Sequence, residues 1–263
     1  MWWRYGDGLL PFLVKDPDWP RNDSINRVNE RHRQEMAQHI VDTIGDRPEL
    51  LDACMPTYPP YGKRIVLDNG WFDALTKPNV TLVPEAIVGF DETGVIDASG
   101  SHHEVDVVAL ATGFEVFQGA ARLGVVGRDG RSLAEEWSDD DPQAYLGITV
   151  PGFPNLFLLQ GPTTGLGHGG SAIFQAECQV RHVTSCLAEL VRRGASTIEP
   201  KPEPTEAYNR RHDEEHERLI WTHSAMRPWY RNDAGRVVAV MPFRLVDFWS
   251  WTHDVDADDY VFT

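Results

Sequence analysis

The sequence predicts an α/β fold with a helical N-terminal segment, a mixed sheet and an irregular, aromatic C-terminal tail. Two observations lead to this prediction. Residues 26–44 carry apolar side chains at helical spacing. Residues 105–111 and 154–162 are nearly continuous apolar runs, and such runs are typical of strands covered on both faces in parallel α/β sheets.

The elements before residue 115 follow from local signals. Pro48 suits the first turn of a second, short helix. Residues 79–84 predict a short strand, and residues 86–104 predict a strand hairpin that leads into the buried run 105–111.

The elements of the second half follow in the same way. A helix is predicted from Ser171 to about Arg193, because Gly194 suits the residue just after a helix end. Residues 196–200 predict a short strand, and residues 204–221 a charged helix with too few apolar positions for a core. A turn at 232–235, a short strand and an aromatic cluster close the chain.

Charge and cysteine content limit the function classes. Lys plus Arg is 24 and Asp plus Glu is 40, so the formal net charge is −16. Such an acidic chain argues against binding to nucleic acid or to anionic membranes. Cys54, Cys178 and Cys186 are odd in number and form no C-x-x-C motif, which predicts neither a disulfide framework nor a zinc site and favours the cytoplasm. No apolar run approaches the ~20 residues of a membrane span, and the N-terminus lacks a signal-peptide pattern.

A glycine-rich loop raises the first functional question. Gly165, Gly167 and Gly170 spell G-x-G-x-x-G between a predicted strand and a predicted helix, the order that a phosphate-binding loop requires. However, the turn begins early, with Gly161-Pro162, and the position of the expected ribose-binding acid, ~20 residues on, still lies in the helix. The spacing therefore favours a helix N-terminus that faces some other electron-rich group.

A basic turn is the second candidate binding element. Pro59, Pro60 and Gly62 set a rigid turn that presents Lys63 and Arg64, a pair suited to a polyanion or a developing oxyanion. Its alternative is a solvated surface pair.

Thr112 and Gly113 follow the apolar run 105–111, at the strand end where open α/β sheets bind ligands; an ordinary turn is the alternative. His168 is either a general acid or base, or structural. His102 and His103 lack the further partners that a metal site needs, and the acidic run 135–143 is interpreted as a solvated face.

Four stretches, taken in order, resemble one family. They are YPPYGKRIVLDNGWFDALTKPNVTLV, DVVALATGF, YLGITVPGFPNLFLLQGPTTGLGHGGS and PWYRNDAGRVV. They resemble the flavin-dependent Baeyer–Villiger monooxygenases, most closely the 4-hydroxyacetophenone monooxygenase branch, over nearly the whole chain. The family's two nucleotide-binding glycine loops and its F-x-G-x-x-x-H-x-x-x-W motif have no counterpart in their proper context.

The resemblance implies the C-terminal half of a flavoprotein with two dinucleotide-binding domains, of which Rossmann-like remnants are present. Residues 1–50 would be a helical segment and 51–115 the end of the NADPH-binding domain. Residues 116–200 would be the end of the FAD-binding domain, and 201–263 a C-terminal helix and tail.

The resemblance also implies the chemistry and the cofactors. NADPH reduces FAD, the reduced flavin captures O2 as a C4a-peroxide, and this peroxide attacks a ketone, which rearranges to an ester or lactone. Arg64 would stabilise the anionic species, Lys63 would contact the NADP ribose or phosphate, and Trp229 the nicotinamide cofactor. The loop along the flavin and the strand end 112–113 supply the other expected cofactor contacts: Thr112, Gly113, Gly161, Pro162, Gly169, Gly170, Ser171 and Ala172.

The helix that begins near Ser171 would direct its N-terminus at the flavin N1–C2=O edge, where negative charge develops on reduction. Thr163 stands where the family pattern has Asn. Two alternatives remain: an inactive remnant or interaction module without FAD, and an N- or S-oxygenating flavin monooxygenase, against which the Lys63-Arg64 turn argues. The missing N-terminal half is expected either in the same gene, if this sequence is a fragment or its start codon is misassigned, or on a partner chain.

Overall fold

The computed structural model describes residues 7–113, 121–167 and 169–263. The chain divides into two compact units. The first comprises Met1–Arg33, Thr57–Ile65 and Val116–Thr263, and the second comprises Gln34–Pro56 and Val66–Glu115. The boundaries between the four predicted segments stay predictions.

Helices α1 (Arg27–Ile44) and α2 (Pro48–Cys54) confirm the two predicted N-terminal helices. Pro48 occupies the first turn of α2, where its missing N–H leaves no hydrogen bond unmade. Ile40 and Ile44 of α1 are buried beside α2 and the short helix α3 (Trp71–Leu75). This cluster is the core of the second unit.

The second unit also contains a three-stranded antiparallel sheet of β1 (Ile87–Phe90), β2 (Gly94–Asp97) and β3 (His102–Glu104). It confirms the predicted hairpin and extends it by one strand. Gly94 is required there, because a Cβ atom would lie 1.9 Å from the carbonyl oxygen of His103 on β3.

Two strand predictions in the second unit are wrong. Residues 105–111 form no strand and are exposed rather than buried; Val107 is 82% exposed and Leu110 is 72% exposed. Residues 79–84 form no strand. An apolar run becomes a buried strand only where neighbouring strands pair with it and layers cover it, and the described residues supply neither.

The first unit contains α4 (Leu133–Glu136), α5 (Ala172–Arg193), β4 (Ile198–Pro200), α6 (Pro202–His216), α7 (Leu245–Thr252) and β5 (Tyr260–Phe262). Helix α5 and strand β4 confirm their predictions. Ser171 caps the N-terminus of α5, and Gly194 has φ 65° at its C-terminus, a left-handed conformation that glycine adopts without steric cost. β4 pairs antiparallel with β5.

Three sequence interpretations of the first unit need correction. Residues 154–162 form no strand. Helix α6 confirms the predicted helix but does bury a face, and that face is largely polar: Thr205, Tyr208, Asn209, His212 and His216. The aromatic C-terminal stretch contains helix α7, whose Leu245 and Phe248 are fully buried.

Sheet topology differs from the prediction as well. Both described sheets are antiparallel, and parallel pairing is limited among the described residues to an isolated bridge between Gly165 and Val240. The core of the first unit packs around Trp221 and Tyr230 in one cluster and around Met241 and Phe248 in another. No helix among the described residues is long and apolar enough to cross a membrane.

Candidate functional site

The conformation of the basic turn, residues 58–64, is restrained by the packing of Tyr61 and Gly62. Tyr61 has φ 70°, and its ring packs against the core cluster around Trp221. Gly62 is buried, and a Cβ atom there would lie 2.1 Å from Met226 Sδ. A side chain at this position would have to displace the Met226 side chain, and the turn presents the next two side chains, Lys63 and Arg64, to solvent.

Arg64 and the glycine-rich loop, residues 161–170, are in direct contact. Arg64 Nη1 donates a hydrogen bond to the carbonyl oxygen of Leu166 at 3.2 Å, although 102 positions separate the two residues. Lys63 Nζ lies 4.2 Å from the centroid of the Tyr58 ring, a cation–π contact. The guanidinium fork has five N–H donors, so the bond to Leu166 leaves it able to contact an anionic oxygen.

The three glycines of the G-x-G-x-x-G pattern contact this chain's own side chains and backbone. A Cβ atom at Gly165 would lie 2.6 Å from the carbonyl oxygen of Ala239, and one at Gly167 would lie 2.5 Å from Trp221 Cζ2. At Gly170 it would lie 2.4 Å from Leu245 Cδ1. Close packing of the loop thus accounts for the glycines, and no pyrophosphate is needed to explain them.

Helix α5 begins directly after this loop, at Ala172. Ser171 Oγ accepts a hydrogen bond from the Phe174 N–H at 3.2 Å, the usual N-cap arrangement. Ala172 is exposed and Ile173 is 75% exposed. Gly169 and Gly170 approach the helix with φ of 96° and 106°. The exposed helix start offers the positive end of a 22-residue helix to a ligand. His168 lies outside the described residues.

A cavity of about 250 Å³ brings three predicted site residues together: Gly161, Pro162 and Trp229. Its other walls include Trp137 and Gln160. Trp229 is 49% exposed, and its ring centroid lies 4.4 Å from that of Tyr230. Flat aromatic and proline walls with a few polar groups suit a small ring compound or one ring of a cofactor. We call this space the aromatic cavity.

Charge on the basic turn affects the buried Tyr230 phenol. Burial raises the pKa of Tyr230, while the positive charge of Arg64 acts in the opposite direction. Arg64, the loop, Trp229 and Tyr230 all belong to the first unit.

The remaining predicted residues are not part of the first unit. Thr112 and Gly113 belong to the second unit, where they are exposed and Gly113 has φ 89°. His102 and His103 pair with Asp91 and Asp97 across the β-meander. A hydrogen bond to His102 lowers the pKa of the Asp91 carboxyl. Hydrogen bonds, chiefly to Ser99 and His103, lower the pKa of the Asp97 carboxyl. No group of three or more potential metal ligands occurs among the described residues.

Sequence reasoning missed four residues of this region: Trp137, Gln175, Gln179 and Tyr230. Gln175 and Gln179 are nearly or fully buried on α5 and bond to the backbone of residues 160–164. Two glutamines four positions apart on the apolar face of a helix are a signal that could have found them, since buried amides need partners. Trp137 and Tyr230 carry no local signal beyond their size.

Several known proteins are similar to this chain. An uncharacterized monooxygenase of Sinorhizobium fredii is 41% identical over 259 residues, covering 98% of this chain and 39% of that protein. A Baeyer–Villiger monooxygenase of Pseudomonas aeruginosa is 36% identical over 227 residues, 86% of this chain and 42% of that protein. An FAD-binding monooxygenase of Aspergillus niger is 31% identical over 262 residues, covering 98% of this chain and 41% of that protein.

The fold is shared with a solved structure of an oxidized steroid monooxygenase bound to NADP. The TM-score is 0.79 at 29% sequence identity, covering 95% of this chain and 46% of that one. No family model matches the chain. The chain spans about two fifths of the length of the curated relatives it matches.

Proposed function

This chain belongs with the Baeyer–Villiger and flavin monooxygenases over nearly its whole length, and we propose that it carries the arginine-bearing part of such an active site. The reaction would insert one oxygen atom of O2 beside a ketone carbonyl to give an ester or lactone, with FAD and NADPH as cofactors. The 4-hydroxyacetophenone branch is the part of the family that we propose for it. A segment that bears the nucleotide-binding glycine loops would complete the enzyme.

The observation that carries this proposal is the hydrogen bond between Arg64 and Leu166 at 3.2 Å. It places a guanidinium beside a glycine-rich loop that leads directly into the exposed N-terminus of α5. The glycine-rich loop is thus bonded to one source of positive potential, the Arg64 guanidinium, and leads into a second, the N-terminus of α5. Such a pair suits chemistry in which negative charge develops on an oxygen and on a ring.

The residues present fit part of the two cofactors. Ser171, Ala172 and the loop glycines would lie along the flavin ring, and Trp229 and Lys63 would contact the nicotinamide nucleotide. The aromatic cavity, at about 250 Å³, falls below the range of about 300–1,000 Å³ usual for whole ligands. It therefore fits a single ring, and the rest of each dinucleotide would be bound elsewhere.

Each side chain has a distinct task in this proposal. The flavin, when bound and reduced, supplies the activation of O2. Arg64 donates N–H groups to the anionic oxygen and keeps its orientation through the bond to Leu166. Trp229 forms a wall of the aromatic cavity, which excludes water from the ring that binds there.

A second candidate function rests on the exposed apolar surface of the second unit. Val66, Leu67, Val107 and Leu110 are each at least 72% exposed, and exposed apolar side chains mark an interaction site where they form one patch. The chain would then be an interaction module that binds no flavin by itself.

Binding of FAD distinguishes the two candidates. We expect the purified chain, titrated with FAD, to bind about one flavin per chain, and more weakly than an enzyme that also has the nucleotide-binding glycine loops. A chain that binds no FAD in the titration would contradict flavin binding and favour the interaction module.

The role of Arg64 needs a second measurement, made with NADPH, O2 and a ketone under conditions where the wild-type chain forms ester. Arg64→Ala should keep flavin reduction by NADPH and lose ester formation by about 10²–10³-fold, the usual effect of removing one such donor. Arg192→Ala is the matched control, because Arg192 is exposed and lies at the opposite end of α5. Ester formation retained in Arg64→Ala would contradict the assigned role.

A further inference from the structure

The turn Gln160–Thr164, which forms part of the aromatic cavity, has an unusual backbone. Gln160 and Thr163 are not glycines, yet their φ angles are 55° and 63°. Side chains disfavour this left-handed region, and such residues persist where the surroundings fix them. Two of them within four positions require specific restraints, and the hydrogen bonds of the turn show what those restraints are.

Both strained residues have a bonded amide. The Gln160 N–H donates to Gln179 Oε1 at 3.0 Å, and the Thr163 N–H donates to the carbonyl oxygen of Val238 at 2.9 Å. At the far end of the turn, Gln175 Nε2 donates to the carbonyl oxygen of Thr164. The turn is thus bonded at its first N–H and at its last carbonyl by two side chains of α5.

The two glutamines form a matched pair. They lie four positions apart on α5, so they share one face of the helix, and they are 1% and 0% exposed. Gln179 Nε2 has no hydrogen-bond partner among the described residues. A buried donor without a partner costs free energy, so an apolar residue of similar size would suit this position better if packing were its only role.

We propose that Gln175 and Gln179 are positioning residues that fix the Gln160–Thr164 turn and thereby the shape of the aromatic cavity. Both glutamines belong to α5, which begins at Ala172. They therefore hold Gly161 and Pro162 at a fixed position relative to the N-terminus of this helix. This inference rests on the proposed function only for the identity of the ring that the cavity receives.

Amide hydrogen exchange of the flavin-free chain tests the pair directly. Gln179→Met keeps the side-chain volume and removes the acceptor, so the Gln160 amide should exchange about ten-fold faster, the effect of one lost buried hydrogen bond. Gln179→Glu keeps an acceptor oxygen and should retain the protection. Gln175→Met should shift the NMR resonance of the Gly165 amide, whose peptide bond contains the Thr164 carbonyl.

Cys186→Ala is the matched control. Cys186 is fully buried on the same helix but packs against Ile198 and Tyr260, so its loss should destabilise α5 without a selective change at Gln160. An unchanged Gln160 amide in Gln179→Met would overturn the proposal. So would equal acceleration in Gln179→Met and Cys186→Ala, because that result would mean general loosening.

Titration with FAD separates this inference from the proposed function. The two Met variants should bind FAD about ten-fold more weakly than wild type and Cys186→Ala. Equal affinity in variants that have lost Gln160 protection would overturn the positioning role. A wild-type chain that binds no FAD would refute the proposed function instead, and the exchange measurement would still decide the glutamine pair.

Discussion

At the scale of single residues, the glycine-rich loop shows how one pattern can serve another purpose. The spacing of Gly165, Gly167 and Gly170 is that of a nucleotide fingerprint, yet a Cβ atom at any of the three would lie less than 3.0 Å from another atom of this chain. Spacing alone cannot separate these causes, because both require backbone that approaches another group closely. Only the partner of each glycine distinguishes them.

A substitution at Gly167 checks this explanation. Gly167→Ala should lower the free energy of unfolding by about 1–3 kcal/mol, the usual effect of overpacking, because the methyl group would meet the buried Trp221 ring. Gly89→Ala is the control, since no heavy atom lies within 4 Å of a Cβ atom there, and it should change stability by no more than about 0.5 kcal/mol. Urea unfolding followed by tryptophan fluorescence measures both, and equal effects would contradict the packing explanation.

At the scale of elements, helix α5 connects stability with the proposed site. Ser171→Ala removes the N-cap acceptor for the Phe174 N–H and should lower the free energy of unfolding by about 1 kcal/mol. Ser171→Asp keeps an acceptor and should retain stability, while its negative charge at the helix start should weaken FAD binding. Circular dichroism during urea unfolding and FAD titration provide the two readings. Loss of stability in Ser171→Asp, or unchanged FAD affinity, would count against this view of the helix end.

The elements that the sequence predicted correctly have local signals. Ser171 and Gly194 mark both ends of α5, and Pro48 marks the start of α2. The runs 105–111 and 154–162 were wrong as strands, because an apolar run does not encode the strands that must pair with it. Helix α7 was missed because the carboxylate that accepts from its first N–H groups belongs to Asp7, 238 positions before Leu245 in the sequence. The contact between Arg64 and Leu166 joins positions that are 102 residues apart, and no local pattern in the sequence encodes it.

At the scale of the whole molecule, stability should depend on pH through buried histidines of the first unit. Among the histidines that the structure describes, three are nearly or fully buried: His182, His212 and His216. His182 Nε2 bonds to the Tyr260 hydroxyl, and the other two bond to the Val240 carbonyl oxygen. Val240 is also the bridge partner of Gly165, so this histidine pair supports the backbone beneath the glycine-rich loop.

Burial lowers the pKa of His182 to about 4 and also lowers the pKa values of His212 and His216. In the unfolded chain a histidine has a pKa of about 6.5, so below that pH the unfolded state binds protons that the folded state does not. Stability is then fully present above pH ~6.5 and falls as the pH drops towards 4, by up to about 1.4 kcal/mol per pH unit for each histidine.

Urea unfolding between pH 7.5 and 5.5 measures this slope. His182→Gln should reduce it, whereas Cys186→Ala, at a neighbouring buried thiol of α5, should lower stability equally at every pH. A slope in His182→Gln equal to that of the wild type would show that burial of this imidazole does not set the acid response.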